Sequence, residues 1–127
     1  MTRAGVRRRA TAWMTPRWRD PGWYAFVLNR FTGLILVAYL LAHFVVLSRL
    51  TAGSEGWNDL LGLFGSRPFL VGDVLLVSAV IFHGLNGVRV ILLTLGRGTR
   101  RSGLMFGVVL VASAALAALA AWRILFA

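Results

Sequence analysis

Three long apolar runs, at roughly residues 31–50, 70–95 and 104–122, set the tightest limit on what this chain can fold into. Each reaches or nears the ~20 residues that a helix needs to cross about 30 Å of hydrocarbon. None alternates with a period of two, so strands are disfavoured. The expected fold is an all-α membrane protein with three transmembrane helices. Three helices make a thin bundle, so a place in a hetero-oligomeric helical bundle is expected. The chain divides into a basic segment with interfacial aromatics, 1–30, and a three-helix anchor, 31–127. At 127 residues, 58% of them hydrophobic, it has room for one small domain and lies outside the soluble norm.

The formal net charge is +10, carried by arginine without lysine. Basic chains of this size often bind nucleic acid. Here the arginines flank apolar runs and no nucleic-acid reading motif is present, so membrane lipid is the expected contact and nucleic acid is not. Arg3, Arg7, Arg8, Arg9, Arg17, Arg19 and Arg30 precede the first span, and Arg97, Arg100 and Arg101 lie in the second connection. Three spans place both groups on one side, leaving Arg49, Arg67 and Arg123 on the other. The excess of positive charge puts the N-terminus in the cytoplasm and the C-terminus outside the inner (plasma) membrane. Trp13, Trp18, Trp23 and Tyr24 then fall near the inner interface, where aromatic belts form. The basic region is too long for a signal peptide and no A-x-A-like cleavage site follows, so the N-terminus is expected to be retained.

There is no cysteine, which excludes disulfides, thiolate metal sites and self-ligated iron–sulfur clusters. Two histidines and four acids leave little for hydrolytic chemistry. In the first connection, "WNDLLGLF" is a short amphipathic piece, with Ser54 a candidate cap and Pro68 a candidate stop. "GRGTRRSG" at 96–103 is a tight basic turn. In the third run, Ser113, Ala117 and Ala121 lie four apart on one face, a spacing that lets helices approach.

The costly residues are in the second run: "FHGLNGVRV", 82–90. His83 and Gly87 share a helix face, and Asn86 and Arg89 follow within two turns. A haem needs an imidazole ligand, a flat slot and a cation near its propionates, and these residues supply all three. A histidine bonded to a neighbouring helix, with glycine for packing, fits the same pattern. His43 in the first run lies at a different depth. If both histidines bind haem iron they serve different haems; otherwise His43 bonds a partner helix. "NRFTG", 29–33, opens the first run with Arg30 at the boundary, where an arginine can also simply snorkel.

"RFTGLILVAYLLAHFVVLS" and "HGLNGVRVILL" resemble the first and second helices of the cytochrome b membrane anchor family of succinate dehydrogenase, respiratory complex II. The resemblance covers roughly residues 23–122 and rests on Arg-x-[Ser/Thr]-Gly and His-x-x-x-Gly-x-Arg, about fifty residues apart. It implies haem b, one or two, with His83 as axial ligand and His43 matching a first-helix histidine of two-haem branches. It implies Arg30 and Arg89 near propionates, and Arg30 near a quinone head group; by position, Asn29 is a candidate second donor there, and Trp23 and Tyr24, one to two turns earlier, are candidate walls. Relatives often carry histidine and serine where Asn29 and Phe26 stand, and aspartate at the position of Thr94. The implied partners are a flavoprotein subunit, an iron–sulfur subunit and a second membrane anchor. The implied role is electron transport from the tricarboxylic acid cycle to quinone. The chain itself would not oxidise succinate, having neither nucleotide-binding glycines nor cluster cysteines. A fumarate reductase anchor keeps this fold with the flux reversed. A cofactor-free small transporter or channel component would instead use His43, His83 and Asn86 to line a polar path.

The topology is tested by reporter fusion. A reporter active only outside the cytoplasm is expected to work at Ala127 and to fail near Gly98; the reverse pattern would refute the orientation.

Overall fold

In a computed structural model of the chain, residues 20–51 and 53–126 are described. The expectations for Trp13, Trp18, the arginines of 1–19 and the retained N-terminus lie outside the described residues. Helix α1 spans Pro21–Leu50, α2 Ser54–Phe64 and α3 Arg67–Thr94. A 3-10 turn, Thr99–Arg101, leads into α4, Ser102–Phe126. No strand occurs among the described residues. Helices α1, α3 and α4 are each long and apolar enough to cross a membrane, so the chain is a multi-pass membrane protein.

Helix α1 begins ten residues before the first apolar run, at Pro21 rather than 31. The cause is local. The Asp20 side chain accepts from the Gly22 amide at 2.9 Å, and Pro21 occupies the first helical position, where its missing N–H costs nothing. At 1.5 Å per residue the 30-residue helix is about 45 Å long, so its first turns stand clear of the hydrocarbon. Trp23, Tyr24, Asn29 and Arg30 therefore sit on a rigid helix and not on a polar tail.

Two boundary residues act differently from expectation. Ser54 is the first residue within α2, not the residue capping it. Pro68 does not stop α2, which ends at Phe64; it lies in the first turn of α3, a position proline tolerates. On α2, Trp57, Leu60, Leu61 and Phe64 follow the i, i+3, i+4, i+7 spacing of one face. Phe64 bridges Trp57 and Phe69, with ring centroids 6.2 and 4.9 Å away, and so joins α2 to the start of α3.

The other end of α3 closes tightly. Gly96 takes φ +74°, and its amide donates to the Leu93 carbonyl while that of Arg97 donates to Leu92. This satisfies carbonyls the helix end would otherwise strand in a low-dielectric setting. Gly98, at φ +81°, starts the 3-10 turn. The turn holds α3 and α4 antiparallel, and they form the most extensive contact; α1 packs mainly on α3. A Cβ on Gly103 would stand 3.5 Å from the Pro21 ring, so the starts of α1 and α4 and the end of α3 gather at one end of the bundle. Ala25, Phe82, Phe106 and Val109 form the core there, with Tyr24 and Leu85 against it. Ser113 is buried and Ala117 and Ala121 are half-buried, in keeping with the small-residue stripe on α4.

Candidate functional site

The polar side chains of α3 meet α1 just above this core. His83 Nδ1 lies 3.2 Å from the Asn29 carbonyl oxygen and 3.3 Å from Thr32 Oγ1. A carbonyl only accepts, so Nδ1 carries the proton in the neutral ring. The Thr32 hydroxyl directs its own proton within α1, toward the Leu28 carbonyl at 2.8 Å and the Asn29 carbonyl at 3.1 Å, which leaves a lone pair for the imidazole. Both neighbours thus fix the same tautomer and leave the Nε2 lone pair unprotonated, the form that binds a metal.

One turn further along α3, Asn86 is 1% exposed. Its Nδ2 donates to Asn29 Oδ1 at 3.1 Å. Its own Oδ1 has no partner among the described residues. Gly33 makes the approach possible: a Cβ there would stand 3.2 Å from His83 Cε1, tighter than a side chain normally sits. The other side of His83 is open. A Cβ on Gly84 or Gly87 would meet nothing within 4 Å. At about 100° per residue Gly87 lies about 40° and Gly84 about 100° around from His83, so the imidazole borders a smooth, unfilled strip.

Arg89 is not brought to that strip. It lies on the far side of α3 and is buried, 6% exposed, against α4. Its Nη2 donates to the Ser102 carbonyl at 3.2 Å, and its guanidinium lies 5.6 Å from the Phe106 ring centroid. Its Nε has no partner among the described residues. Arg30 is exposed, with its guanidinium 5.1 Å from the Phe26 ring centroid. Trp23, Phe26 and Arg30, spaced i, i+3 and i+7, share one face of α1. Tyr24 meets the Trp23 ring edge to face at 5.1 Å but turns toward the core. Asn29 is likewise committed to α3. Of the four residues expected around a quinone, Trp23 and Arg30 therefore share a face, and Tyr24 and Asn29 lie elsewhere on the helix.

His43 stands apart. Eleven residues beyond Thr32, it is about 16 Å further along α1. Its ring stacks on Tyr39 with centroids 5.4 Å apart, and the Tyr39 hydroxyl is 3.4 Å from Nδ1. A hydroxyl can donate or accept, so this contact does not select a tautomer as the Asn29 carbonyl does for His83. Among the described residues no three His, Cys, Asp or Glu side chains converge on one point. Any further ligand to a metal at His83 would come from outside the described residues. The sequence reading gives Thr32 and Gly33 no role at a site and uses Phe26 only as a point of difference. The Arg-x-[Ser/Thr]-Gly pattern pointed to the stretch without revealing that its hydroxyl and glycine face His83.

Fold and site together define a polytopic membrane protein with a histidine held in the seam between two spans. The family described as Succinate dehydrogenase/Fumarate reductase transmembrane subunit matches residues 6–121, and the chain belongs to it. It is 36% identical over 107 residues to the succinate dehydrogenase hydrophobic membrane anchor subunit of Halobacterium salinarum, covering 76% of this chain and 82% of the relative. It is 31% identical over 91 residues to the succinate dehydrogenase 2 membrane subunit SdhC of Mycobacterium tuberculosis, covering 71% and 67%. A third relative, the hydrophobic membrane anchor subunit of Archaeoglobus fulgidus succinate dehydrogenase, is 32% identical over 79 residues, covering 62% of this chain and 68% of the relative. The chain is thus a membrane anchor subunit of this class, and membership implies partner subunits.

The close approach at Gly33 gives a test of the seam. Gly33→Val is expected to force His83 off α1 and to lower the thermal stability of the purified protein by roughly 1–3 kcal/mol, the usual cost of overpacking. Gly72→Ala, at a helical glycine with nothing within 4 Å, is expected to be neutral or slightly stabilising. Equal behaviour of the two variants would refute the packing described.

Proposed function

We propose that this anchor binds haem b through Nε2 of His83 and, with a second membrane anchor subunit, helps pass electrons from an iron–sulfur subunit to membrane quinone. The observation that carries the reading is the Nδ1–H of His83 aimed at the Asn29 carbonyl, because it presents a basic Nε2 beside a strip of α3 that carries only glycine hydrogens at Gly84 and Gly87. The residues present fit the group: one imidazole donor for the iron, bare backbone for the flat macrocycle, and arginines at the same end of the bundle for its propionates. When bound, haem supplies a one-electron carrier within the membrane. His83 holds and orients it. Arg30, exposed one turn before Gly33, is the arginine able to reach a propionate. Arg89, engaged with Ser102, acts from its fixed position as a nearby positive charge. His43 would hold a second haem.

The flavoprotein and iron–sulfur subunits would dock at the inner, cytoplasmic face of the cell membrane, the side to which the positive charge of the sequence assigns the N-terminus and the 96–103 turn. The sister activity, fumarate reduction, uses the same parts with the flux reversed; haem and quinone potentials set its direction. His83→Ala is expected to remove or strongly weaken one b-type haem in the reduced-minus-oxidised spectrum, with haem quantified per flavin. His43→Ala is expected to affect a different haem. An unchanged spectrum in the His83 variant would overturn the ligation. Full haem retention in the His43 variant would leave that residue to its contact with Tyr39.

The quinone site belongs on the Trp23–Phe26–Arg30 face. Reduction puts negative charge on a quinone oxygen, and a planar donor that stays charged stabilises it. Arg30 is free to turn from Phe26 toward such an oxygen, with Trp23 as an aromatic wall. Tyr24 packs edge to face on Trp23 and steadies that wall. An arginine that only anchored the helix to lipid phosphate would be replaceable by lysine, since both snorkel. Arg30→Lys is expected to lose roughly tenfold or more of succinate–quinone activity, as for loss of a directed donor. Assembly and succinate oxidation by an artificial acceptor are expected to be retained. Near-normal quinone activity in the assembled variant would refute the donor role.

A further inference from the structure

We infer that Asn29, Thr32 and Asn86 are positioning residues that set the tautomer, orientation and basicity of the His83 imidazole and so hold down the reduction potential of the iron it ligates. The inference rests on the haem reading above and adds a tuning role for three residues that do not touch the haem. The geometry supports it in two ways. First, α3 grips a single residue of α1 at two points. His83 Nδ1 meets the Asn29 carbonyl at 3.2 Å, and Asn86 Nδ2 meets the Asn29 side chain at 3.1 Å. Two bonds from residues one turn apart to one residue fix both the spacing and the rotation of the helices there. The Thr32 hydroxyl, 3.3 Å from Nδ1, completes the pair of acceptors, and Gly33 lets the ring lie flat against α1.

Second, Asn86 is a poor choice for packing alone. It is fully buried and leaves Oδ1 without a partner among the described residues. An apolar side chain of that size would fill the seam without stranding an acceptor. What Asn86 provides and an apolar residue cannot is its bond to Asn29. The same contact takes Asn29 away from the quinone-donor role expected of it and gives it to His83.

The electronic consequence has a definite sign. An acceptor on Nδ1–H draws the proton outward and makes Nε2 a stronger donor. A stronger donor favours ferric over ferrous iron and lowers the potential. Weakening the acceptors should raise it.

The test uses the assembled, haem-loaded complex and reads the midpoint potential and the low-spin electron paramagnetic resonance signal of the haem that His83→Ala removes. Thr32→Val, which keeps the shape and loses the hydroxyl, is expected to raise the ferrous-to-ferric ratio at fixed ambient potential by roughly tenfold, the low end of what loss of an outer partner costs a metal site. Tenfold corresponds to 59 mV for one electron. Thr32→Ser keeps the hydroxyl and is expected to restore the parent potential. Asn86→Leu is expected to raise the potential and shift the resonance positions as the ring turns. If that variant fails to assemble, the two Thr32 variants decide. Parent values in both Thr32→Val and Asn86→Leu would overturn the positioning role, as would equal shifts in Thr32→Val and Thr32→Ser. Full haem content in His83→Ala would instead overturn the haem reading itself, and the inference with it.

Discussion

The interaction on which the rest depends is the contact between the His83 imidazole and the main chain of α1. Helices in hydrocarbon gain little from apolar contact with one another, since lipid tails serve equally well. Only 6% of the apolar window of α1 is buried within this chain. What attaches α1 to α3 is therefore local: Ala25 in the core, Gly33 against the ring, and the bonds at Asn29 and Thr32. The Asn29 carbonyl has two lone pairs. One serves the helix, and the other faces His83 and the Thr32 hydroxyl without breaking a helical bond. The register of α1, and with it the placing of Trp23, Phe26 and Arg30, follows from that fit.

The remaining surface follows from the same economy. Phe31, Leu34, Val37, Leu41 and Phe44 on α1 are exposed, as are Val108 and Val111 on α4. On a soluble protein that would be a binding surface; on a membrane span it is an ordinary lipid-facing wall. The strip beside His83 differs because it is bare. Glycine in a spanning helix gives up dispersion contacts with lipid tails, and two glycines next to the His83 imidazole give them up where, in the proposed reading, a flat group would recover them.

Much of the fold was legible from length and apolarity, because a membrane allows few alternatives to a spanning helix. The start of α1 was less legible. The signal was present in Asp20-Pro21, but aromatic and basic residues hid the helix from a reading based on hydropathy. Pro68 was read as a stop because proline both ends and begins helices, and only the neighbouring turn decides between them. In the site, His83 and Gly87 stood out by their cost. The Asn29–Asn86 bond could not be seen, since it depends on which face of α1 meets α3, and nothing in either apolar run encodes that rotation by itself. Arg89 shows the same limit: its spacing from His83 gave its depth, while its direction was fixed by α4 through Ser102 and Phe106.

The two arginines at this end of the bundle show how surroundings divide one residue type into two roles. Arg89 is enclosed. Taking a guanidinium out of water is costly, and the Ser102 carbonyl and the Phe106 ring face offset part of that cost. With those contacts made, the side chain has little freedom, and its charge acts as a fixed field on whatever lies nearby. Arg30 stands at the exposed edge, held among the described residues by the face of Phe26, a contact worth about 0.5–1 kcal/mol at an exposed site. That is small enough for a better acceptor to displace. A substrate that enters and leaves needs a donor that can turn toward it and return, whereas a resident group needs a charge that stays in place. In the proposed reading Arg30 therefore serves both the quinone and the propionate within its reach, and Arg89 supplies the standing electrostatic bias on the haem.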